Sequence, residues 1–458
     1  MHNRKVDRVM AVLRQTKPMV PPGPPGEPFI GNARAFVLDP LDYLRRCAQT
    51  YGDILQIHLG TTAIYMLSHP DYIEHVLLTH QKHYTKSRFT QRRKSLFGNG
   101  LIFSEGDFWL RQRRLMQPSF HHRNIERYSE AMVELTQRLT ADWQDGEKLN
   151  MHDEMMQLSL GIVVKTLFDT DNAGDTRAIG QVLDVLIDQV SAAAVRPLQF
   201  PDWFPTAGNR RYNAALARLN TIIANIIHEH RQRGTASNDL LATLLQAQDE
   251  DGQRMSDKQI RDEVVNLYIA GHETVALALA FTWYLLAEHP DVEAQLHTEL
   301  ERVLRGRAPT IADLPNLPYT EQIVVEALRL YPPVWGIFRD CAQADEIAGY
   351  PIAPKTVVLL SPWVIQRDAR FYEEPEIFRP ERWHHAAKPP TRFAYFPFGG
   401  GQRLCIGNNF ALVEARLALA TLAQQWHFTL ATTDPLELVP SITMRPKHGI
   451  WLIANKRR

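Results

Sequence analysis

From Ser256 to His289 the chain runs without a proline, and Pro290 follows directly. The start, Ser256-Asp257-Lys258-Gln259, carries a capping box: the serine hydroxyl can accept from the backbone three residues on, and the glutamine can reach back. One helix over this stretch would be roughly 45–50 Å long at 1.5 Å per residue, enough to cross a large domain. Leu267, Ala270, Leu277 and Phe281 keep its middle apolar, so the spacing predicts a buried helix. A helix of that length needs other elements packed along it, which favours one large domain.

The 458 residues would by length alone suggest two or three domains. No Gly/Ser linker, charge block or internal repeat interrupts the interior, however. From about Asp107 to Leu300 the pattern is mainly helical. Beyond Pro332 it turns to short strands and loops, punctuated by Pro351, Pro354, Pro362, Pro375, Pro380 and Pro397. Ile54–Leu59 and Ala63–Leu67 around Gly60-Thr61-Thr62 predict a β-hairpin. A last helix is expected after Cys405, through Phe410 to about Gln425. The fold class is mainly α with a smaller β portion.

The segment Met19–Asn32 is rich in proline and should run extended. It sets a basic N-terminal arm, residues 1–18, apart from a single domain over 33–458. In the arm Val6, Val9, Met10 and Leu13 share one helical face, too small an apolar face to favour a membrane surface over solvent. Met1–Pro18 has neither an apolar run near the ~20 residues of a membrane span nor a signal-peptide core. Lys and Arg total 51 and so do Asp and Glu, so no global field draws nucleic acid. Three cysteines, Cys47, Cys341 and Cys405, are too few for a disulfide framework or a four-thiolate zinc site. A reducing, cytoplasmic compartment fits them.

The most informative stretch is Phe398-Gly399-Gly400-Gly401-Gln402-Arg403-Leu404-Cys405-Ile406-Gly407. A thiolate that binds iron needs N–H groups aimed at its sulfur, which tight Gly-containing loops supply. It also needs an aromatic shield and a cation for the porphyrin carboxylates, jobs that Phe398 and Arg403 fit. Gly407 would let the following helix approach a flat macrocycle. A buried cysteine alone is more often a small hydrophobe, and a Gly-rich loop without dinucleotide spacing is weak. Together, however, these ten residues resemble the cytochrome P450 haem-binding signature, Phe-x-x-Gly-x-Arg-x-Cys-x-Gly, at every fixed position. The resemblance makes Cys405 the proximal iron ligand, with Phe398, Gly399, Arg403 and Gly407 against the cofactor.

Three further motifs follow the family's order. Glu326 and Arg329 are three apart on a helix and can pair. By resemblance they form a buried structural triad with Arg382, beside Trp383 where the family more often has Phe. Ala270-Gly271-His272-Glu273-Thr274 matches the family's oxygen-binding pattern: Ala270 and Gly271 open a groove, the Thr274 hydroxyl meets dioxygen, and Glu273 relays protons. A zinc-protease reading of His-Glu would need a second histidine at Ala276. Trp109 and Arg113, one turn apart, and Arg339 stand where the family binds haem propionates. Arg111 and Arg114 could add to a basic patch for an acidic electron donor. His121-His122 and His228-Glu229-His230 read as surface polar residues.

The resemblance spans nearly the whole chain and is closer to bacterial fatty-acid hydroxylase-like and microsomal-type members than to the camphor-hydroxylase type. It implies a single triangular domain with haem b (heme b, iron protoporphyrin IX) between the long helix and the Cys-loop helix. It also implies a soluble haem-thiolate monooxygenase, taking O2 as co-substrate with two electrons and two protons. No flavin or iron–sulfur segment follows the loop, so a ferredoxin and ferredoxin reductase are the expected donors, and the protein a monomer. By family position the pocket is lined from Arg88 to Phe103, Pro197 to Trp203, Leu267, Val334 to Phe338, and Ile442-Thr443. These are mostly apolar, as for a fatty acid, terpenoid or steroid-like substrate, while Arg88, Arg92 or Arg93 could hold a carboxylate. A P450-fold peroxygenase or isomerase and a non-catalytic haem-based ligand sensor are the alternatives.

Overall fold

The computed structural model describes residues 19–91, 94–168, 180, 182, 185–186, 204–233, 239–384 and 391–457. The expectations for the arm 1–18, for Arg92 and Arg93, and for Pro197–Trp203 lie outside the described residues. The proline-free stretch is one helix, Asp257–Glu288, of 32 residues. Its capping box forms as read: the Ser256 hydroxyl accepts from the Gln259 N–H at 3.3 Å, and Gln259 Oε1 accepts from the Ser256 N–H at 2.7 Å. The helix is long and apolar enough to cross a membrane, yet most of that stretch is buried inside the protein. Leu277, Phe281 and Trp283 are fully enclosed.

Helices Met151–Phe168, Pro318–Leu330 and Asn408–Ala423 pack against this central helix. Their contact faces are continuous aliphatic runs, such as Leu417, Ala418, Leu419 and Ala420, all fully buried. Burial at about 25 cal/mol per Å² of apolar surface makes this bundle the main source of cohesion. The last helix thus begins and ends close to where the sequence put it.

A five-stranded sheet stands beside the bundle, in the order Ile54–Leu59, Thr62–Leu67, Val357–Leu360, Ile337–Cys341, Tyr84–Lys86. The hairpin turn is shorter than the sequence suggested, because Thr62 already pairs with Leu59 and leaves Gly60-Thr61 as a two-residue turn of the common hairpin length. At the other edge, antiparallel pairing sets Lys86 directly opposite Arg339. Two cations adjacent across a strand pair repel unless something negative joins them. One surface reading needs correction: His230 is buried, with Nε2 2.7 Å from Asp239 Oδ2 and Nδ1 3.0 Å from the Ile226 carbonyl.

Candidate active site

The loop Phe398–Gly407 feeds the helix Asn408–Ala423. The Cys405 N–H returns to the Phe398 carbonyl at 3.0 Å, and Gly399 and Gly401 adopt left-handed backbone, φ 74° and 64°. A Cβ on residue 401 would lie 1.7 Å from the Leu77 carbonyl oxygen, so only glycine lets the loop dock there. Cys405 is accessible at the wall of a large cavity and crowded by protein on its other sides. Burial pushes its thiol pKa up, while a hydrogen bond from the Gly407 backbone and the charges of Arg113 and Lys86 oppose that rise. These opposing groups are what a thiolate requires.

The cavity has a volume of about 1370 Å³. Phe398, Gly399, Arg403, Cys405 and Gly407 form one wall, and Ala270, Gly271, Glu273 and Thr274 of the central helix form another. Phe103, Leu267, Val334, Phe338, Ile442 and Thr443 also line it, so the structure gathers these scattered positions into one space. Gly271 serves packing as well: a Cβ there would lie 3.1 Å from Val163 Cγ2 on the neighbouring helix.

Lys86, Arg339 and Arg403 are the cations on the cavity wall among the described residues. Burial, then the charges of Arg339 and Arg403, pull the Lys86 pKa down to about 7. Burial, then Arg403, lowers Arg339 to about 10. One carboxylate answers them: Glu105 pairs with the Arg403 guanidinium and accepts from the Lys86 backbone N–H at 2.7 Å. With Glu105 as the one carboxylate against them, the cluster is left with an excess of positive charge, which fits the carboxylates of a porphyrin. The glycine-bordered cavity, the cysteine on its wall and this charge excess together suit a haem. Lys86 escaped the sequence reading because nothing in Tyr84-Thr85-Lys86 marks its side chain as lining a cavity.

Trp109 is buried with the Arg403 guanidinium 3.9 Å over its ring, and Arg113 donates to the Leu404 carbonyl at 2.7 Å. Both brace the cysteine loop. Arg111 and Arg114 form no open basic patch, since Arg111 Nε lies 2.6 Å from Asp249 and Arg114 lies 3.2 Å from Glu250. Arg88 is likewise held by Asp340 at 2.8 Å and the Lys355 carbonyl at 2.5 Å.

On the central helix the Thr274 hydroxyl donates back to the Ala270 carbonyl at 2.7 Å. Glu273 is buried, accepts from the Thr443 hydroxyl at 2.6 Å, and pairs through the same oxygen with Arg445. Arg445 lies 172 residues away in sequence, and no local pattern announced it.

Behind the cysteine loop, Glu326 and Arg329 are fully buried and joined by two bonds of 2.7 and 2.8 Å. Arg382 Nε reaches Glu326 at 2.8 Å, the Trp383 indole N–H donates to it at 2.7 Å, and the Arg379 N–H at 3.1 Å. Burial alone would raise the Glu326 pKa, but Arg329 and then Arg382 hold it below the usual carboxylate value. Arg329 also donates to the Gln366 and Pro375 carbonyls, at 2.8 and 2.6 Å. The cluster therefore fastens the loops that precede Cys405. Trp383 supplies a hydrogen bond that phenylalanine would not.

On the opposite side of the cavity, three residues on one face of the central helix hold the segment 97–103. Asp262 accepts from the Asn99 N–H at 2.9 Å, Glu263 from Leu101 at 2.8 Å and Asn266 from Ile102 at 3.1 Å. The Asn266 amide also donates to the Phe97 carbonyl at 2.7 Å. These bonds fix the stacked pair Phe97 and Phe103, ring centroids 4.5 Å apart.

Known proteins share this architecture. The family profile "Cytochrome P450" matches residues 21–453. Cyclooctatin synthase of Streptomyces melanosporofaciens is 36% identical over 439 residues, covering 95% of this chain and 94% of that protein. Pentalenene oxygenase of Streptomyces avermitilis is 35% identical over 411 residues, covering 89% and 91%. Among solved structures, a retinoic acid-bound cyanobacterial P450, CYP120A1, superposes with a TM-score of 0.87 at 26% identity, covering 96% of this chain and all of that one. With the fold, the cysteine loop and the profile in agreement, the chain belongs to the cytochrome P450 family and is a monooxygenase of that family.

Proposed function

We propose that this P450 inserts one atom of O2 into a terpenoid-like apolar substrate, over a haem b held by Cys405. The observation that carries the substrate class is the cavity wall. It is built from Phe103, Leu267, Val334, Phe338 and Ile442, and its only cations among the described residues belong to the propionate cluster. Arg88, the described arginine that might have held a fatty carboxylate, is bound to Asp340. Relatives point the same way: pentalenene oxygenase and cyclooctat-9-en-7-ol 5-monooxygenase act on terpenoids.

A haem held through the Cys405 thiolate would supply reductive activation of dioxygen, with electron density donated by that sulfur. The chain's own residues orient and protonate. Lys86, Arg339 and Arg403 would hold the haem propionates. Thr274 Oγ1 holds a proton at the cavity wall, and Glu273 Oε1 moves protons to it from the side of Thr443 and Arg445. Apolar walls exclude bulk water.

The test is optical titration of the ferric holoprotein with terpenoids, steroids and fatty acids, followed by turnover with supplied donors. Terpenoids should move the Soret band toward the high-spin form and be hydroxylated; a response confined to fatty acids would sink the substrate assignment. Thr274→Ala should keep substrate binding while diverting electrons to peroxide. Unchanged coupling would remove Thr274 from the proton path.

A further inference from the structure

The segment that supports the cysteine loop carries three histidines with no part in the reaction. His75–Thr79 is a π-helical turn, and His80 follows it. Such turns are rare and concentrate at functional sites. Here the wide turn brings His75 and His80 side by side, ring centroids 3.8 Å apart and 20° from parallel. His83 ends the next short turn, its ring centroid 5.4 Å from that of His80. Asp345 enters from a distant two-stranded hairpin. Its Oδ2 lies 2.9 Å from His75 Nε2 and 3.5 Å from His83 Nδ1, and accepts from the Tyr84 hydroxyl at 2.9 Å.

We propose that His75, His80, His83 and Asp345 bind a divalent transition-metal ion of the zinc type. One potential ligand atom each from His75, His80 and Asp345 lies within 4.8 Å of the others. Small rotations would close them on an ion at about 2.0–2.1 Å. The donor set decides the class of ion: imidazoles with one carboxylate suit zinc, nickel or copper, whereas calcium and magnesium take all-oxygen shells. Two imidazoles also exceed what the carboxylate needs. Asp345 is satisfied by His75 and Tyr84, while His83 Nδ1 is buried without a hydrogen bond. Among the described residues the exposed His80 ring hydrogen-bonds the neighbouring Thr79 hydroxyl, at 3.3 Å. The Tyr84 hydroxyl orients the carboxylate as outer-shell donors do in metal sites.

The site adjoins the redox centre's support. Leu77 receives Gly401, and Gln81 Oε1 accepts from the Gln402 N–H at 2.9 Å. An ion bridging His75, His80 and Asp345 would therefore tie this segment to the Asp345 hairpin directly beside the cysteine loop.

The experiment is calorimetric titration of the haem-loaded protein with Zn2+ at neutral pH, for wild type, His80→Ala and His83→Ala. His80 is exposed, so its removal leaves the His75–Asp345–Tyr84 bonds in place; unchanged haem spectra and melting check the fold of both variants. One saturable site is expected, weakened in each variant by at least about tenfold, the scale that even an outer-shell change costs. X-ray absorption at the zinc edge should show imidazole ligands. No saturable binding by the wild type, or binding of wild-type strength in both variants, overturns the proposal.

Discussion

The two sides of the cavity are held by the same device, a buried acid on a helix gripping loop backbone, but with opposite electrostatics. Behind the cysteine loop, Glu326 is met by Arg329 and Arg382, and its pKa is held below the usual value against its burial. Over the substrate, Glu263 accepts from the Leu101 N–H, burial raises its pKa to about 8, and the charge beside it, Asp262, has the same sign. The cysteine side is thus locked by compensated charge. On the roof Asp262 has a cation, Arg261 at 2.8 Å, but Glu263 holds the Leu101 N–H with no arginine beside it among its electrostatic partners.

Removing the hub of the locked side should have the largest effect. Glu326→Ala leaves Arg329 and Arg382 buried without their anion, a change that typically costs about 3–5 kcal/mol. Denaturant unfolding should show that loss, and haem content should fall with it. Near-wild-type stability would mean that the surrounding carbonyls alone satisfy Arg329, and the contrast between the two sides would fail.

The roof should respond to pH where the Glu326 cluster does not. The Glu263 pKa rises from 4.5 to about 8 on folding, so between those values the folded chain keeps a proton that the unfolded chain has released. This group's contribution is complete below pH 4.5 and is lost as pH rises through 8. The slope at its steepest is about 1.4 kcal/mol per pH unit. Glu263→Gln should flatten that part of the stability profile; an unchanged slope would assign it to another group, such as Glu414, whose burial also raises its pKa to about 8.

The same contrast explains what was legible in the sequence. The central helix, the cysteine loop and Glu326-x-x-Arg329 are local patterns, because capping, tight turns and residues one helical turn apart are set by neighbours in the chain. The roof contacts join residues more than 160 positions apart. Asp262, Glu263 and Asn266 read as ordinary polar positions on a helix. Their spacing, on one face of an otherwise apolar helix, was the available signal. Lys86 and Arg445 gave none, since their roles arise from strand register and from a strand near the end of the chain.

The sharpest comparison removes single hydrogen bonds from each side. Asn266→Ala deprives the Ile102 N–H and the Phe97 carbonyl of partners, at about 1–3 kcal/mol for buried polar groups. Because those groups position Phe97 and Phe103 at the cavity wall, the expected readout is weaker binding of a high-spin-inducing ligand, with haem content unchanged. Trp383→Phe removes one bond of 2.7 Å to Glu326 but keeps an aromatic ring in place. Glu326 retains Arg329, Arg382 and the Arg379 N–H, so the cost should stay near 1 kcal/mol, seen in the unfolding midpoint and not in ligand affinity. Were Trp383→Phe to change affinity, or Asn266→Ala to strip haem, stability and recognition would share one network instead of dividing across the cavity.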